Sequence, residues 1–89
     1  MLEREITISN KLGLHARASA KLVQTLHGYK ASVFMAYRGK EVNAKSIMGV
    51  MMLAAGLGAV LTLRADGPDE EAAMAALGDL CERKFDEGQ

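Results

Sequence analysis

Near the amino terminus, the stretch SNKLGLHARASAKLV (residues 9–23) sets Gly13, His15 and Arg17 on alternate positions just ahead of a helical pattern. Glycine enters backbone conformations closed to other residues, and a helix start exposes unpaired N–H groups that favour anions. Imidazole side chains titrate near ~6.5, so a neutral ring is available at neutral pH to accept a phosphoryl group. The Arg17 guanidinium offers a planar fork suited to phosphate oxygens. Acceptor, amides and guanidinium would then converge on one phosphoryl group. Spacing alone leaves a second reading open, in which His15 is an exposed helix-start residue and Arg17 a solvated charge.

Ser46, ahead of the short helical pattern IMGVMML, is the second candidate. As an N-cap its hydroxyl would satisfy a helix amide, which by itself explains a serine at that position. A phosphate on the same oxygen would be tolerated at the helix start while changing the charge of the surface around it. Met48, Met51 and Met52 cannot all point inward from a two-turn helix, so an exposed, adaptable apolar patch is expected. Together with Ile47, and with Ala16, Arg17, Lys21 and Lys45 beside it, this patch is the expected partner-binding surface. Arg17, Lys21 and Lys45 would form its basic rim.

Other chemistries find little support. His27 lies twelve residues from His15 without cysteine or carboxylate spacing to complete a metal site, and it reads as a helix end. GLGA (residues 56–59) lacks the Lys-Ser/Thr of a P-loop. Sequence order supports no Ser-His-acid arrangement. Cys81 is the single cysteine, which excludes an internal disulfide and a cysteine-rich zinc site and suits a reducing cytosol. Neither metal nor cofactor is expected.

The elements that must position these residues follow from periodicity. LEREITIS (residues 2–9) alternates Leu2, Ile6 and Ile8 against Glu3, Glu5, Thr7 and Ser9, with Arg4 interrupting the apolar side. Residues 16–27 place Ser19, Leu22, Val23 and Leu26 on one helical face, ending near His27-Gly28. ASVFMAY (31–37) and KEVNA (40–44) read as strands joined by an Arg38-Gly39 turn. The short helix after Ser46 aligns Ile47, Val50, Met51 and Ala54 on one side. AVLTLRA (59–65) alternates again, facing Ala59, Leu61, Leu63 and Ala65 one way. DGPDEE then offers a cap, Pro68 near the first helical position and three acids in the first turn; Ala73, Leu77, Leu80 and Cys81 follow, with Arg83-Lys84 at the far end.

The order is therefore β-α-β-β-α-β-α. Helices needing to bury one face each predict an α+β fold, an open-faced β-sandwich with a four-stranded, mainly antiparallel sheet and three helices on one face. At 89 residues, a single domain over 1–89 is expected. The most apolar stretch, Ile47 to Leu63, is interrupted by Gly49, Gly56 and Gly58, and neither membrane insertion nor a signal peptide is expected. Formal net charge is zero, yet residues 1–65 carry +6 and residues 66–89 carry −6. With scattered aromatics and no tryptophan, this split argues against nucleic acid. It favours a modest basic patch that meets an acidic or phosphorylated partner.

GLHARA at 13–18, NAKSIMGVMML at 43–53 and GPDEEAAMAAL at 67–77 together make the chain resemble the HPr family of histidine-containing phosphocarriers of the bacterial phosphoenolpyruvate-dependent phosphotransferase system. The resemblance spans essentially the whole chain. It implies a cytoplasmic, monomeric carrier that is a protein substrate and not an enzyme. Its histidine would be phosphorylated on Nδ1 by enzyme I and would hand the group to IIA domains. His15 matches the phosphoacceptor, Arg17 the phosphate-neighbouring arginine, and Ser46 the regulatory serine of members modified by an HPr kinase/phosphorylase. Two positions depart from the family pattern. Ala18 stands where proline is common, and Leu12 stands where a polar residue often precedes the glycine. Sugar uptake, a nitrogen-type regulatory branch and a purely regulatory interaction module stay open as roles. An acylphosphatase-like hydrolase would need paired residues that the sequence does not supply.

Overall fold

The computed structural model describes residues 1–86, and the last three positions of the expected 1–89 domain lie outside the described residues. Its elements are β1 (Leu2–Thr7), α1 (Ala16–Leu26), β2 (Ser32–Tyr37), β3 (Lys40–Asn43), α2 (Ile47–Met52), β4 (Val60–Asp66) and α3 (Glu70–Glu82). A three-residue 3-10 turn, Lys84–Asp86, follows α3 and was not expected. The strands form one open sheet in the order β1-β4-β2-β3, antiparallel at every pairing. Register sets Ile6 opposite Leu61, and Met35 opposite both Leu63 and Val42.

Alternation decides which face of the sheet the helices cover. Ile6, Val33, Met35, Leu61, Leu63 and Ala65 point inward and are buried with Leu22, Leu26, Val50, Leu77 and Leu80 from the helices. Each large aliphatic side chain removed from water in this way contributes about 1.5–3 kcal/mol. The opposite face carries Glu3, Glu5, Thr7 and Glu41, with Arg64 paired to Glu41 and Glu3 across the strands. Arg4, the interruption on the apolar side of β1, is accommodated by α3. Gly78 leaves room for its guanidinium, and an added Cβ at Gly78 would lie 2.9 Å from Arg4 Nη1.

Two helix boundaries differ from expectation. Pro68 precedes the α3 N-cap and does not occupy the first helical position, because Asp69 takes the cap and leaves Glu70 and Glu71 as the acids of the first turn. The Asp69 carboxylate does not cap its own helix. It accepts hydrogen bonds from the Lys30 and Ala31 amides, each at 2.8 Å, and so ties the α1–β2 connection to the start of α3. Glu70 reaches back to accept the Gly67 N–H at 3.1 Å. In α2 only Val50 is buried; Ile47 and Met51 are exposed, and the helix ends at Met52, which leaves Ala54 outside it at φ +53°.

Candidate functional site

His15 is the N-cap residue of α1, in extended backbone conformation, and its carbonyl accepts the first intrahelical bond from Ser19 N–H at 2.8 Å. The side chain does not cap the helix. The amides of Ala16 and Arg17 precede that first donor and belong to the positive end of the helix.

The loop that delivers His15 is fixed from both sides. Gly13 has φ +66°, and it lies so close to the α2–β4 connection that an added Cβ would be 2.5 Å from the Ala55 carbonyl oxygen. Leu14 N–H donates to the same oxygen at 2.9 Å. Asn10, fully buried, donates through Nδ2 to the Gly13 carbonyl at 2.8 Å. Ser19 Oγ, also buried, donates to the Leu14 carbonyl at 3.1 Å. Two buried polar side chains thus satisfy two carbonyls of the turn, which an apolar environment would otherwise leave without partners.

His15, Ala16, Arg17 and Lys21 line one open cavity of about 680 Å³ together with Leu12, Phe85 and Asp86. His15 is half-buried and Arg17 exposed. Lys21 Nζ donates to Asp86 Oδ2 at 3.0 Å and to the Phe85 carbonyl at 3.4 Å. Arg83 Nη1 donates to both Asp86 oxygens, at 2.7 and 2.9 Å. Hydrogen bonds from Lys21 and then Arg83 hold the Asp86 carboxyl below the usual carboxylate range. The site therefore combines an imidazole, helix-end amides, a guanidinium and an ammonium around a space open to solvent. Such a set can receive an anionic group from a second protein.

The other expected residues lie on α2, which packs against α1, or just before it. Ser46 caps α2, its hydroxyl accepting Gly49 N–H at 3.1 Å, and it is exposed. Met48 and Met52 are 74% and 62% exposed, with Ile47 and Met51 also at the surface. Lys45 does not line the His15 cavity; it is half-buried and donates to the Tyr29 carbonyl at 2.7 Å. Cys81 is buried, and that burial pushes its thiol up to about 12, with Arg4 countering only in part, so it is unsuited to nucleophilic chemistry. Among the described residues, no group of three or more His, Cys, Asp or Glu side chains could hold a metal ion, and no helix is long and apolar enough to cross a membrane.

Asn10, Phe85 and Asp86 were not singled out from sequence, and Ser19 was assigned only to the apolar face of α1. Asn10 and Ser19 owe their roles to carbonyls brought close by the fold. Phe85 and Asp86 reach the cavity through a turn that has no periodic signature.

Comparison with known proteins assigns the chain as a whole to one family. The family model for the phosphorylation site of the phosphotransferase-system HPr component matches residues 2–83. The chain is 58% identical to the phosphocarrier protein HPr of Cupriavidus necator over 100% of both chains. It is also 58% identical to that of Xylella fastidiosa (strain Temecula1), over 98% of each. A crystal structure of HPr from Thermoanaerobacter tengcongensis superposes with a TM-score of 0.94 at 49% identity, covering 98% of each chain. A half-buried histidine capping α1, beside an arginine on an open cavity, thus stands in a chain that belongs to the HPr family of phosphocarriers.

Proposed function

We propose that this chain is a stoichiometric phosphoryl carrier of the cytoplasm, which takes the group from phosphorylated enzyme I on His15 and passes it to a IIA domain. The observation that carries this reading is the placement of His15 as the cap of α1 on the same open cavity as Arg17 and Lys21. In the transfer, a lone pair on the imidazole, Nδ1 by family analogy, attacks phosphorus as the bond to the donor nitrogen breaks. The proton shed by the accepting ring is matched by one taken up by the donor ring. Arg17 and the helix-end amides stabilise the equatorial oxygens, where charge concentrates in the transition state. The cavity is open to solvent, as a group handed between two proteins requires.

Ile47, Met48, Met51 and Met52 supply an apolar docking surface, rimmed by Arg17 and Lys21, for acidic faces of enzyme I and the IIA domain. Ser46, exposed at the edge of that surface, is the site at which an HPr kinase/phosphorylase would regulate docking. Incubation with phosphoenolpyruvate and enzyme I, followed by addition of a IIA domain, tests the carrier role. One acid-labile phosphate per chain that moves on to the IIA domain supports it, and a chain that stays unlabelled beside a labelled control carrier refutes it.

A further inference from the structure

The segment after α3 is unusual in its backbone. Lys84, Phe85 and Asp86 all lie in the left-handed region, with φ of +54°, +55° and +61°. Consecutive non-glycine residues avoid this conformation unless the surroundings hold them there. Phe85 supplies the hold, since its ring is buried in the core at 2% exposure. The same turn puts the Asp86 carboxylate on the wall of the His15 cavity, where Lys21 and Arg83 grip it from either side.

We propose that Asp86 is a positioning residue that raises the phosphoryl-transfer potential of His15, by holding Lys21 away from the phosphoryl group and by setting a like charge across the cavity from it. The inference rests on the carrier reading above. With His15 unmodified, the carboxylate is the natural partner of Lys21. A phosphoryl group on His15 brings close to two negative charges into the same space, and it then competes with Asp86 for the ammonium while being repelled by the carboxylate. Both effects have one sign. They make the phosphorylated form less stable than the cations alone would, and so a better donor to the next acceptor. The carboxylate is ionised at neutral pH, being held below its usual range by the same two cations. It is therefore charged whenever transfer takes place.

The test is a partition experiment. Wild-type chain and Asp86→Asn are mixed in equal amounts with a limiting quantity of phosphorylated enzyme I, which exchanges the group reversibly between them. The share on each is then read by mass spectrometry. The Asn variant should hold about three- to tenfold more phosphoryl group at low salt, as expected for partly screened charges in one cavity, with the ratio falling toward one at high salt. Asp86→Glu restores the charge and should bring the ratio back toward one, which a purely structural role of this residue would not do. Circular dichroism checks that each variant is folded, and if Asp86→Asn fails to fold, Asp86→Ser takes its place with the same expected direction. Equal partition between two labelled, folded chains overturns the inference and leaves the carrier reading intact. Failure of both to take label overturns the carrier reading, and this inference with it.

Discussion

Gly13 lies against Ala55 so closely that an added Cβ would stand 2.5 Å from the Ala55 carbonyl oxygen, in a backbone conformation that disfavours any side chain. This contact fastens the His15 loop to the connection leaving α2. Gly13→Ala is therefore expected to combine a left-handed penalty with a steric one and to destabilise the fold by about 2–4 kcal/mol. Urea denaturation measures it. A variant as stable as the parent would show that the loop relaxes freely and that Gly13 does not position His15.

Asp69 joins two distant segments by accepting the Lys30 and Ala31 amides, and those hydrogen bonds, the Lys30 bond foremost, hold its carboxyl below the ordinary value. A depressed folded-state value means that the stabilisation is present above the unfolded value of about 4 and is lost as pH falls through the lower one. Asp69→Ala should lower the melting temperature at pH 7. The gap to the parent should close as the pH is taken below ~4. Melting curves from pH 7 to 2 check this, and a gap that does not change with pH would contradict it.

Much of this architecture was legible from residue types because one physical signal dominates each element. The alternation of Ile6 and Ile8, and of Ala59, Leu61, Leu63 and Ala65, follows the buried face of the sheet, since a strand with one wet side admits no other pattern. Gly13 followed by the apolar period of Leu22, Val23 and Leu26 placed the start of α1 beside His15, which caps it. What escaped is tertiary. Asn10 reads as a turn residue until its burial under the Gly13 carbonyl is known, and Ser19 sits at an apolar spacing because its hydroxyl is spent on Leu14. Asp69 was expected to serve α3, but the amides of Lys30 and Ala31, nearly forty positions earlier, claim its carboxylate. Lys45 donates to the Tyr29 carbonyl, a partner that its place in the sequence does not announce.

Arg17 is exposed on the cavity that His15 lines. On the proposed mechanism its loss would remove charge-assisted hydrogen bonds of about 1.5–3 kcal/mol from the transition state, so Arg17→Ala should slow transfer by about tenfold or more. Arg17→Lys should recover only part of the rate, because an ammonium cannot form the bidentate fork. Rapid-quench kinetics with phosphorylated enzyme I would show this, and unchanged rates in Arg17→Ala would remove the residue from the mechanism.

Ser46 separates stability from transfer. Its hydroxyl accepts Gly49 N–H, so Ser46→Ala should cost about 1 kcal/mol of stability while transfer proceeds normally. Ser46→Asp keeps a competent cap and should stay near parental stability, yet it places a negative charge beside exposed Met48 and Ile47, on the surface proposed to dock acidic partners. Its transfer from enzyme I should be slower, with a deficit that salt reduces. If authentically serine-phosphorylated protein, folded and compared side by side, transfers as fast as the unmodified chain, the regulatory role fails.

The carrier reading turns on His15, the N-cap residue of α1, as the acceptor of the phosphoryl group. The direct measurement is enzyme I-dependent labelling from phosphoenolpyruvate of the parent and of His15→Ala, with acid-labile phosphate mapped by peptide mass spectrometry. Because the His15 side chain does not cap the helix and is half-buried, the variant should remain folded. Label is expected on the His15 peptide of the parent and none on the folded variant; label at the parental level in His15→Ala, or phosphate mapped to His27, would overturn the assignment of His15.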